Sequence, residues 1–228
     1  MKTTLLGLTL CLTLISLCSM AALAADHGRG PQFAITKPLQ QIHHNGGSDA
    51  VVAPMKIYSN LGPSDDIYDA TVGYFVSGIN NPFNGQKQDI AIPFTPSANA
   101  TVTRVKAALQ YYNIGSNGAM LAIYDDASGL PGTALAKRLR GNFSDFGTGC
   151  CDLALWTLKS PLSVTKGTQY WVVGTTNGKT QDAINTWDWV FDDAPGAFAF
   201  QQDDGGWLYL SAAYGYPPSA VAVRGTMP

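Results

Sequence analysis

The chain has 228 residues, 46% hydrophobic and 13% charged, with 24 Gly, 13 Pro and a formal net charge of −2. A charged fraction about half the roughly 25% of an average soluble protein excludes a disordered polyelectrolyte, a coiled coil and a nucleic-acid binder held by basic patches. All 16 acidic residues are Asp, and the three histidines, His27, His43 and His44, fall near the start.

Residues 1–24 read as a secretory signal peptide. Lys2 supplies the positive start, Leu5 to Leu17 the apolar run, and Ala22-Leu23-Ala24 the small residues of a cleavage site. The run is shorter than the ~20 residues that spanning a bilayer needs, so no membrane span is expected. Cleavage would remove Cys11 and Cys18 and leave the adjacent pair Cys150 and Cys151. Residues 25–54 read as a flexible leader that pairs only at its end.

From residue 55 to 228, short apolar runs alternate with clusters of Gly, Pro, Asn and Asp, the pattern of an all-β chain. Strands are predicted over Asp69–Ser77 and Asp89–Thr95, the latter with Ile90, Ile92 and Phe94 on one face. One continuous strand is predicted over Arg104–Tyr111, its second face (Arg104, Lys106, Ala108, Gln110) wet. Ala119–Tyr124 and Thr168–Thr176 are apolar on both faces and read as central strands. Ala134–Arg140 is the one candidate for a short helix. Ala197–Gln202 and Trp207–Ser211 read as a hairpin around Asp203-Asp204-Gly205-Gly206, with positive φ expected at glycine. Together these predict one jelly-roll-like antiparallel β-sandwich domain.

Several segments carry a family resemblance. They are Tyr58–Gly62, Gly73–Gly78, Ala91–Pro96, Ile123–Gly132, Phe146–Cys151 and Gly167–Val173. In this order they resemble the secreted bacterial β-sandwich proteins grouped as choice-of-anchor domains, over roughly residues 57–207. The resemblance implies a β-sandwich fold and no catalytic residue. Many members carry a sorting tail that is not seen here after the domain, which implies release rather than anchoring.

The absences limit the chemistry. Without a histidine in the body, no Ser-His-Asp or Cys-His machine is available there, and two adjacent cysteines cannot make a tetrahedral zinc site. An Asp pair working as acid and base on a glycosidic bond stays open. Eight of the 16 acids sit in four doublets, Asp65-Asp66, Asp125-Asp126, Asp192-Asp193 and Asp203-Asp204. Asp125 and Asp126 are the candidates for a weakly held Ca²⁺, against a plain Asp-rich turn. Cys150-Cys151 is expected to close a vicinal disulfide in an oxidising compartment, against free thiols or intermolecular bridges. Trp187 and Trp189 stand on one face of a strand, about 6.6 to 7 Å apart. With Asn185 and Asp188 beside them they form the candidate ligand site, an aromatic grip for a sugar ring. Core packing is the alternative, and both indoles point inward if Asp188 faces solvent.

The sequence thus predicts a secreted, non-catalytic binding or matrix module that recognises carbohydrate, its partners polysaccharide or other surface proteins and not nucleic acid. A structural surface or biofilm component without a small ligand, and an Asp-based extracellular hydrolase, are the alternatives.

Overall fold

The strand plan follows from period-two alternation, which gives each segment one face to bury. The structure, a computed structural model, describes residues 30–35, 54–140, 143–147, 152–176 and 181–227. Its strands are β1 (Phe33–Ile35), β2 (Met55–Ser59), β3 (Tyr68–Ser77), β4 (Gln88–Phe94), β5 (Ala100–Ala107), β6 (Leu109–Tyr111) and β7 (Ala119–Asp126). They continue with β8 (Pro131–Arg140), β9 (Ala154–Val164), β10 (Tyr170–Thr176), β11 (Ile184–Val190), β12 (Phe198–Gln202), β13 (Leu208–Leu210) and β14 (Val221–Thr226). Among the described residues no helix is long and apolar enough to cross a membrane.

The strands make an antiparallel β-sandwich. The larger sheet runs β6-β11-β3-β4-β10-β7-β8, with β1 paired to β3 and the β12–β13 hairpin paired to β4. The smaller sheet runs β2-β14-β5-β9. Between them lies the main core, with Ile90, Ile92 and Phe94 of β4 packed among Tyr74, Trp187 and Phe198 and the smaller sheet's Val105, Trp156 and Val223.

Four sequence expectations need correcting. Ala134–Arg140 lies in β8, not a helix; pairing with β7 through three register shifts overrides its helix-favouring residues. Arg104–Tyr111 is two strands that part at Ala108, one in each sheet. At that crossing the Ala108 amide donates to Ala220 O (3.1 Å), and the Ala108 carbonyl accepts the Asp188 amide (2.8 Å). Ala108 and Gln110 are therefore buried rather than wet. The β12–β13 turn places its positive φ on Asp203 and Asp204, with Gly205 N donating to Gln202 O at 2.9 Å. That is a type I′ turn in which aspartate tolerates the left-handed region. Finally, the expected leader contributes β1, which pairs with β3 through Phe33–Tyr74, Ala34–Gly73 and Ile35–Val72.

Two glycines make room for the core. A Cβ on Gly174 of β10 would lie 2.7 Å from Cε3 of the Trp187 indole, and one on Gly73 would lie 2.6 Å from an Asp188 oxygen. Trp187 is fully buried, and its N–H donates to Ala220 O (2.9 Å). Overpacking of this kind costs about 1–3 kcal/mol, so Gly174→Ala should lower the denaturant midpoint with an unchanged m-value. An unshifted midpoint would contradict the packing described.

Candidate functional site

The strand proposed from sequence as a ligand site is β11, held between β6 and β3. Asn185, Trp187 and Asp188 are each 0% exposed. Asn185 Oδ1 accepts from the amides of Gly118 (3.2 Å) and Ala119 (3.0 Å), while Nδ2 donates to Gln110 O and Asn117 Oδ1. Its hydrogen-bonding groups are engaged inside the fold. Trp187 and Trp189 share the core-facing side, as the alternation requires. Trp189 is partly buried, 5.3 Å from the Tyr74 ring and 5.7 Å from Phe33. The pair therefore presents no exposed double platform to a sugar, a correction to the sequence expectation. Its cause is that the sandwich core claims this face of β11.

Asp188 points to the opposite face yet is equally buried. Its carboxyl meets the Thr186 hydroxyl, and Gln110 Oε1 beside them has no hydrogen-bond partner. Burial pushes the Asp188 carboxyl well above the ordinary carboxylate range, and the Thr186 hydroxyl opposes this while Asp69 adds to it. Tyr68 accepts from Gln110 Nε2 (2.7 Å) and donates to Asp152 O (3.0 Å).

Asp125 and Asp126 end β7. Asp126 Oδ1 accepts from Trp171 Nε1 (2.8 Å) and Gln169 Nε2 (2.6 Å), and its Oδ2 accepts from Gly129 N (2.9 Å). Burial raises its pKa, but the bonds from Gly129, Trp171 and Gln169 outweigh it and hold the carboxyl below its ordinary value. Asp125 Oδ1 accepts from Thr133 N. These oxygens organise the β7–β8 turn. No group of three metal-ligating side chains converges among the described residues. Cys150 and Cys151 lie outside the described residues, as does the expected signal segment.

A different surface gathers the features expected of a site: the face of the larger sheet turned away from the sandwich core. Register aligns Ala199 of β12, Ala91 of β4 and Val173 of β10 in one row, with Tyr209 of β13 beside Ala199. The next row sets Pro93, Trp171 and Tyr124 side by side. Trp171 is fully buried, and the partly exposed Tyr124, Leu130 and Trp207 pack over this second apolar cluster.

At one end of that face stands Asp89, cross-strand from Gln201. It is 4% exposed, and Oδ2 is 3.4 Å from Lys87 Nζ. Burial raises its carboxyl pKa, and the Lys87 ammonium and a hydrogen bond with the Thr175 side chain pull it part of the way back. Lys87 also pairs with the exposed Asp204. Partly exposed aromatic rings thus lie on the same sheet face as a buried carboxylate and the ammonium it pairs with. The sequence predicts Trp207 in a hairpin strand but carries no signal that joins it to Tyr124 over the same cluster.

No known family model matches this chain, and no curated protein matches it in sequence.

Because the folded-state pKa of Asp188 is raised, the proton is held more tightly in the folded chain. The stabilisation this gives is complete below the unfolded value near 3.9 and is lost as pH rises from there toward the folded value. The unfolding free energy of wild type minus that of Asp188→Asn should therefore fall as pH rises above about 4. A difference independent of pH would contradict the burial described.

Proposed function

We propose that this chain is a secreted, non-catalytic binding module for carbohydrate and that the outer face of the larger sheet is its site. The observation that carries the reading is that Tyr124 and Trp207 share one sheet face with the cluster of Asp89, Lys87 and Asp204. The rings are partly exposed over the buried Trp171, and the exposed Asp204 carboxylate pairs with Lys87. An aromatic face takes the apolar C–H face of a pyranose, and the Asp204 carboxylate and Lys87 ammonium take its hydroxyls as acceptor and donor. The buried Asp89 carboxylate holds that ammonium in place. The signal-like residues 1–24 support export, and the body without histidine supports binding over nucleophilic catalysis.

A second reading rests on β13. It is a three-residue strand with Leu208 45% and Tyr209 48% exposed, and it ends the β12–β13 hairpin. Such an edge offers unpaired backbone to another copy, which is how a structural surface component would assemble.

Retention on cellulose, chitin and xylan separates the two. Binding to at least one polysaccharide is expected. Trp207→Ala and Lys87→Ala should each weaken it by about tenfold or more, the scale of one lost ring contact or charged hydrogen bond. Trp187→Phe should leave it unchanged. Retention on none of the three, with concentration-dependent self-association, would favour the structural reading. Binding insensitive to Trp207 and Lys87 would overturn the assigned face.

A further inference from the structure

The cluster around Asp188 has a layout that neither packing nor saccharide binding uses. Thr186 of β11 and Gln110 of β6 are direct cross-strand partners. On one face of an antiparallel pair this sets their Cβ atoms about 4.5–5.5 Å apart, within reach of a three-atom glutamine side chain. Asp188 lies two residues along the same face of β11. Gln110, Thr186 and Asp188 are all 0% exposed. The Thr186 hydroxyl meets the Asp188 carboxyl, and the Gln110 carbonyl oxygen has no hydrogen-bond partner. The Gln110 amide nitrogen is engaged with Tyr68. A buried amide oxygen without a partner, beside a hydroxyl and a carboxyl, calls for a chemical explanation.

We propose that Thr186 and Gln110 join in an intramolecular ester, with Asp188 relaying the proton. Thr186 Oγ1 attacks Gln110 Cδ. The hydroxyl proton passes to one oxygen of the Asp188 carboxylic acid, and the acid's own proton passes from the other oxygen to the departing amide nitrogen. The C–N bond breaks, the C–O bond remains, and ammonia leaves. Asp188 ends as it began, a neutral acid, and no oxidant, reductant or co-reactant is consumed. Burial favours the neutral form that this relay requires.

Fixing hydroxyl, carboxamide and acid on neighbouring strands turns a slow bimolecular reaction into an intramolecular one, and exclusion of water protects the product from hydrolysis. The ester also accounts for the unpartnered Gln110 oxygen. That oxygen becomes the ester carbonyl, to which the Asp188 O–H can donate once the Thr186 hydroxyl is consumed. Its structural effect would be to fasten the short strand β6 to β11 beside the crossing between the two sheets.

The decisive reading is the intact mass of the purified, denatured full chain after its N-terminus has been sequenced. The wild type should be lighter by one ammonia than its sequence. Thr186→Val should retain that ammonia. In a digest, the peptide carrying Gln110 should be found joined to the one carrying Thr186 and be parted from it by alkaline hydroxylamine. A wild-type mass with both side chains intact would overturn the proposal, and it does so whether or not any variant folds. Asp188→Asn should leave the two side chains unreacted. If that variant cross-links as fully as the wild type, the relay role of Asp188 is overturned.

Discussion

The buried indole of Trp171 organises the outer side of the larger sheet. Strand β10, paired with β4 and β7, carries apolar residues on both faces, so both are covered. Tyr170 and Val172 face the main core, and Trp171 and Val173 face outward. An indole removed from water needs an acceptor for its N–H, and Asp126 supplies it. The second oxygen of Asp126 takes the Gly129 amide, so the same carboxylate shapes the β7–β8 turn. Leu130, at the end of that turn, packs over the indole's cluster together with Tyr124 and Trp207. The Asp doublet, the turn and the aromatic surface are thus parts of one packing solution.

Three aspartates show how environment separates roles within one residue type. Asp126 is fully bonded and held in its charged form. Asp89 is buried against Lys87 and bonded to the Thr175 side chain, which fixes the ammonium at the end of the outer face. Asp188 is fully buried beside the Thr186 hydroxyl, with no salt-bridge partner among the described residues, which suits a neutral acid. In a chain without glutamate, and with no histidine in its body, these differences carry the chemistry.

Much of the architecture is visible in the sequence, because alternation is a local signal. Ile90, Ile92 and Phe94 define the inner face of β4, and the apolar runs at Ala119 and Thr168 mark β7 and β10 as interior strands. What is hidden depends on partners distant in the chain. The run Arg104–Tyr111 alternates without a break, yet Ala108 turns it from one sheet to the other, because its backbone bonds go to Ala220 and Asp188. Trp187-Asp188-Trp189 states only that two indoles share a face. Which face is covered is decided by Gly174, Tyr68 and Ala220, none of them nearby in sequence. The outer aromatic face is hidden for the same reason: Tyr124 stands beside Trp171 only through sheet register, and Trp207 packs over the same cluster from a distant hairpin.

The central claim is that saccharide is held on the outer face of the larger sheet and not on β11. Indole N–H resonances of isotopically labelled protein report this directly during titration with soluble oligosaccharides of cellulose, chitin and xylan. The Trp207 signal should move with saturable dependence on one of them while the Trp187 signal stays fixed. Movement of Trp187 or Trp189 without Trp207, or no movement with any of the three, would contradict it.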